Sequence, residues 1–155
     1  MNSNGLIHVL LVDDDDIFAM LLQESIAEHK NLDGRFRFER VSDGDQALDY
    51  LFGDDDREPE PYPDLIILDQ RMPRMDGTAV LRELRGYEKT RSIPVCMLST
   101  SGQPRLVDAC YAAGANFCIT KPGNFDELIE KVGHLLFFMV HVLEIPSRKK
   151  RAAPA

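Results

Sequence analysis

The sequence predicts one doubly wound α/β domain: a parallel five-stranded sheet with helices on both faces. Three observations carry that reading. Five short runs of strand character alternate with five stretches of helical periodicity. The inner runs, HVLLVD and DLIILD, are apolar throughout instead of alternating with polar residues. At 44% hydrophobic, 155 residues can bury one ordinary core and not obviously two. Strict alternation of strand and helix implies right-handed parallel crossovers, and continuous apolar strands imply burial on both faces.

Taken in order, HVLLVD at His8–Asp13 is the first strand. Ile17 to His29 follows as a helix with Ile17, Met20, Leu21, Glu24 and Ile26 at mostly helical spacing, and NLDG supplies its stop. Phe36–Val41 alternates charge with apolarity as a second strand, and Gly44–Phe52 is the second helix. The acidic stretch GDDDREPEPYP, residues 53–63, has neither periodicity and reads as a solvated connection. Asp64–Asp69 is the buried third strand, followed by a helix near Thr78–Arg85, a strand from Pro94 (PVCMLS), a helix from Pro104 to Ala113, and a strand from Asn116 (NFCIT). The last helix runs from Phe125 to Glu144 and is stopped by Pro146.

Composition excludes several classes of function. A net charge of −8 opposes direct nucleic-acid binding, and the one basic run, RKKR at 148–151, reads as a solvated tail. Cys96, Cys110 and Cys118 are odd in number and lack CxxC spacing, which fits reduced thiols in a cytoplasmic protein. MNSNG lacks the plan of a signal peptide, and no stretch reaches the ~20 apolar residues of a membrane span.

In folds of this class ligands bind beyond the carboxyl ends of the strands. That rule brings Asp13–Asp16, Asp69, Ser99 and Lys121 to one rim. Clustered carboxylates raise one another's pKa values unless a cation neutralises them, so Asp13, Asp14 and Asp69 point to a divalent metal, and hard oxygen ligands favour Mg2+. Neither acidic run has the spacing of a calcium loop. An aspartate can attack phosphorus if positive charge neutralises the oxygens in transit, which makes Asp69 the candidate acceptor, Lys121 the ammonium and Ser99 the hydroxyl donor. Asp15 and Asp16 read as the start of the next helix, where carboxylates meet free N–H groups.

VDD at the first strand, DLIILDQRMPRMDG around Asp69, PVCMLST and GANFCITKP resemble, in the correct order, the receiver domain of two-component response regulators. The resemblance implies the flavodoxin-like fold, with strand order 2-1-3-4-5. It implies Asp69 as phosphoacceptor, Asp14 as a direct Mg2+ ligand, Asp13 acting on the metal through water, and the Arg71 backbone carbonyl completing the ligands. It further implies Ser99 and Lys121 on the phosphoryl oxygens, with Thr100 the other candidate hydroxyl, and a Lys121–Pro122 peptide that is cis in many relatives. Many receivers carry a switch aromatic three positions before the lysine. Here that position is Cys118, beside Phe117, so the switch pair would be Ser99 and Cys118.

The expected organisation is a tail at 1–5, a receiver domain with an extended C-terminal helix at 6–145, and a basic Pro/Ala tail at 146–155. With no output domain expected to follow, action through protein contacts is implied. Phe137, Phe138 and Val142 make the last helix apolar nearly all round, which predicts a homodimer through that helix. The acidic stretch, KPGNFDEL and this helix most resemble the single-domain regulators paired with bacterial phytochromes, implying a bacteriophytochrome histidine kinase as phosphodonor. Two other readings share the same residues: an aspartyl-phosphate phosphatase, which would need a general acid where Arg71 stands, and a pseudo-receiver that binds partners without phosphorylation.

Overall fold

The computed structural model describes residues 5–53 and 62–146; the acidic residues 54–61 and the basic run at 148–151 lie outside the described residues. Its elements are β1 (Ile7–Val12), α1 (Asp16–Glu28), β2 (Phe36–Val41), α2 (Gly44–Phe52), β3 (Leu65–Asp69), α3 (Gly77–Gly86), β4 (Val95–Ser99), α4 (Pro104–Ala112), β5 (Phe117–Thr120) and α5 (Phe125–His141). The five strands are all parallel in the order β2-β1-β3-β4-β5, as expected.

Two apolar layers explain why the central strands are apolar at every position. Along β1, Leu10 and Val12 pack toward α2, α3 and α4 with Leu68, Val80, Leu81 and Met97, whereas Val9 and Leu11 pack toward α1 and α5 with Phe18, Leu22, Val132 and Leu136. Successive side chains on a strand point to opposite faces, so both periodic sets must be apolar. Each buried Leu or Val contributes roughly 1.5–3 kcal/mol. The edge strand β2 is half-buried throughout and tolerates FRFERV: Phe36 and Phe38 face the α1–α5 layer, and Arg37 pairs with Glu39 at 2.9 Å.

Side-chain caps start four of the helices. Asp15, Asp43, Asp76 and Asn124 accept from the backbone N–H groups of Phe18, Gln46, Ala79 and Glu127, respectively. Asp15 and Asp16 thus begin α1, the structural part expected of the aspartate run. Where the sequence predicts a helix to Glu144, α5 ends at His141. Val142 leaves helical geometry (φ −125°, ψ −41°), and Leu143 and Ile145 fold back onto the α1–α5 layer. The Lys121–Pro122 peptide is trans. Among the described residues, no helix is long and apolar enough to cross a membrane.

Candidate functional site

Strand register assembles the site. Val12 pairs with Leu68, Asp69 with Leu98, and Ser99 with Thr120, so Asp13, Asp69, Ser99 and Lys121 emerge at one level of the carboxyl rim. Lys121 is anchored there by its N–H, which donates to the Ser99 carbonyl at 2.7 Å. Gly77 lets the loop after β3 close tightly: a Cβ at this position would stand 2.3 Å from the Asp69 carbonyl oxygen. This close approach gives the DG of RMPRMDG a physical reason, with Asp76 capping α3 and Gly77 seated against β3.

Asp13 and Asp69 are buried and Asp14 is exposed, and ligand oxygens of the three carboxylates lie within 4.8 Å of one another. Lys121 Nζ bridges two of them, 3.1 Å from Asp69 Oδ2 and 3.4 Å from Asp13 Oδ2. Burial, then the Asp13 charge, pushes the Asp69 carboxyl up to about 6 against the pull of Lys121. Burial likewise raises Asp13 despite the Asp15 N–H and Lys121. Burial works against the Lys121 ammonium, but Asp13 and Asp69 together outweigh it and raise its pKa. Two buried carboxylates held above their ordinary range next to a third are a set of hard oxygen donors short of positive charge, which a divalent cation fits.

The other expected residues are placed differently. Ser99 is buried at the rim, but its Oγ lies 2.8 Å from the Ser101 carbonyl and 3.0 Å from Gln70 Oε1, so its single proton is shared between neighbours on either side. The N–H of Arg71 donates to Asp69 Oδ1 at 3.3 Å, while its side chain is exposed. Cys118 lies two residues before the rim on the α4 side, half-buried, and packs on the apolar layer that contains Cys110. Burial raises all three thiols, Cys96 and Cys110 to about 12, which keeps them protonated.

Sequence reasoning missed Arg40. From the end of β2 it donates Nε and Nη2 to the Asp13 carbonyl, at 3.1 and 2.8 Å, and pairs through Nη1 with Asp16. The pairing of β2 with β1 was the signal available: it sets the Arg40-Val41 end beside the aspartate run. A groove of about 180 Å³ beside the carboxylates is lined by Asp15, Phe18, Lys121 and Phe125. A larger one of about 670 Å³ lies away from this chemistry, between α1 and α5.

Residues 9–133 match the response regulator receiver domain family. The chain belongs to that family. Among relatives, this receiver is 35% identical over 124 residues to the probable methanogenesis regulatory protein FilR2 of Methanothrix harundinacea, covering 77% of this chain and 75% of that protein. It is 31% identical over 139 residues to response regulator Rcp1 of Synechocystis sp., covering 90% and 92%. The phosphorylated cyanobacterial phytochrome response regulator RcpA superposes with a TM-score of 0.82 at 30% identity, over 92% of this chain and 99% of that one. The Mn(2+)-bound form of Rcp1 gives 0.76 at 29% identity, over 91% and 99%. Receivers are signalling domains that bind a divalent metal and work with histidine kinases, and this one is homologous to phytochrome response regulators.

Proposed function

We propose that this receiver accepts a phosphoryl group on Asp69 from a bacteriophytochrome histidine kinase in the cytoplasm, with Mg2+ as its metal, and signals as a homodimer through α5. The observation that carries the reading is the Lys121 ammonium bridging Asp13 and Asp69 beside Asp14. Asp69 Oδ attacks the phosphorus of a phosphohistidine, the P–N bond breaks with its electron pair returning to the imidazole, and an acyl phosphate forms. At neutral pH Asp69, titrating near 6, is mainly the carboxylate this step requires. Lys121 stays charged throughout and exchanges a carboxylate partner for a phosphoryl oxygen. Ser99 gives up Gln70 and Ser101 as partners to donate to another phosphoryl oxygen. Asp14 and Asp69 directly, the Arg71 carbonyl, and Asp13 through water would hold Mg2+. When bound, the ion supplies charge neutralisation for the phosphoryl oxygens. The same groups promote the receiver's own phosphorylation and dephosphorylation.

The phytochrome pairing is supported by likeness to RcpA and Rcp1. The dimer is supported by Phe137, Phe138 and Val142, 40%, 41% and 62% exposed on α5 and at its cap. Intact mass after incubation with acetyl phosphate and Mg2+ tests the chemistry: one phosphoryl is expected on wild type and none on Asp69→Asn. Equal labelling of the two proteins would sink the acceptor assignment. Transfer from a bacteriophytochrome kinase that depends on red or far-red light tests the pairing.

A further inference from the structure

We propose that Arg40 is a positioning residue that sets the direction of the metal-binding carboxylates, an inference that rests on the metal reading above. A peptide unit is planar, so holding the planes on both sides of Asp13 fixes φ and ψ of Asp13, aims its side chain, and sets where the Cα of Asp14 stands. Arg40 grips that carbonyl with two donors of one guanidinium, Nε at 3.1 Å and Nη2 at 2.8 Å. The preceding peptide is held as well, because the Asp13 N–H donates to the Val41 carbonyl at 3.2 Å. Two consecutive residues of β2 therefore clamp both peptide planes of Asp13. The third guanidinium nitrogen pairs with Asp16 in the first turn of α1, tying the clamp to the helix that the aspartate loop enters. The Arg40 side chain is only 21% exposed, so its two bonds to the Asp13 carbonyl are partly shielded from water, whereas its partner Asp16 is exposed.

Charge and geometry make opposite predictions here. Acting through its charge alone, a cation this close to the carboxylates repels a metal ion, so its removal tightens metal binding. Acting as a clamp, it strengthens binding by holding the ligands ready. Lysine keeps the charge but cannot place two donors on one carbonyl and a third on Asp16 with the fixed fork of a guanidinium. Mg2+ titrations by calorimetry at low temperature, on the folded metal-free full chain, compare wild type, Arg40→Lys and Arg40→Met, with circular dichroism confirming the fold of each. The expected result is about tenfold weaker Mg2+ binding in both variants, the scale seen when a residue supporting a ligand is lost. The Asp15 amide, which donates to Asp13 Oδ1, should also shift in metal-free NMR spectra of Arg40→Lys. Wild-type affinity in Arg40→Lys, or tighter binding in Arg40→Met, overturns the proposal while leaving the metal reading intact. Absence of Mg2+ binding by wild type overturns both.

Discussion

Asp69 is 2% exposed, with Asp13 and Lys121 against it, and its proton is held until about pH 6. In the unfolded chain an aspartate titrates near ~3.9, so the folded state binds the proton more tightly. Stability of the metal-free receiver contributed by this group is therefore fully present below that value and lost as pH rises through about 6. At about 1.4 kcal/mol per pH unit, the loss is of the order of 1–3 kcal/mol. Asp69→Asn removes it. In EDTA at pH 8 the variant should melt above wild type, and the gap should close as pH falls toward 4. Calorimetry across that range checks the prediction, and Mg2+ should narrow the gap at pH 8 by stabilising only the wild-type carboxylate. Asp76 shifts the opposite way: the Thr78 hydroxyl and then the Ala79 N–H hold its carboxyl below the ordinary range. Its contribution is present above the unfolded value and fades in acid. Neighbouring aspartates thus titrate in opposite directions because one is stripped of water beside another acid and the other is solvated at a helix start.

The helices show which part of an element its residue pattern records. The residue pattern located α1, α2 and α3 to within one residue at each end, and α5 at its start, because their apolar residues fill the two layers beside the sheet. The end of α5 was not legible. Leu143 and Ile145 continue an apolar run, and a pattern of apolar residues does not say whether they are buried by more helix or by a chain that turns back. The surplus on α5 was legible: Leu128, Val132, Leu136 and Met139 face the core, leaving Phe137 and Phe138 at the surface, with the Phe137 ring 4.2 Å from that of His141. Because Phe137 and Phe138 are already partly buried, covering them and Val142 in both subunits recovers only part of the ~1.5–3 kcal/mol of a full burial each, a sum that can still match an association cost of at least ~4 kcal/mol. Phe138→Asp should therefore shift the mass seen by light scattering from dimer to monomer while leaving acetyl phosphate labelling of Asp69 intact. Wild type that stays monomeric at high micromolar concentration, phosphorylated or not, would remove the interface.

For the molecule as a whole, parallel winding determined what could be read in advance. Asp13, Asp14, Asp69 and Lys121 are brought together because each follows or ends a strand, and strand ends are visible in sequence. The Ser99 contacts to Gln70 and Ser101, and the Arg40 grip on Asp13, depend on rotamers and on neighbours across the sheet, which spacing along a chain does not encode. The same winding divides the connections into two groups. Those leaving the carboxyl ends of strands carry the chemistry, and those entering the amino ends do not. Residues 54–61 belong to the second group: they join Gly53, past the end of α2, to Tyr62-Pro63-Asp64, where Asp64 accepts the His8 N–H at the amino end of the central strands. This is where the receiver can absorb added length. Closure entropy grows only slowly with length, by ~0.6 kcal/mol per doubling, and this connection enters the amino end of β3, opposite the carboxyl rim. An epitope or fluorophore tag inserted between residues 55 and 56 should leave labelling of Asp69 by acetyl phosphate unchanged. The same insertion between Pro73 and Arg74, in the tight turn that Gly77 closes against β3, should abolish it.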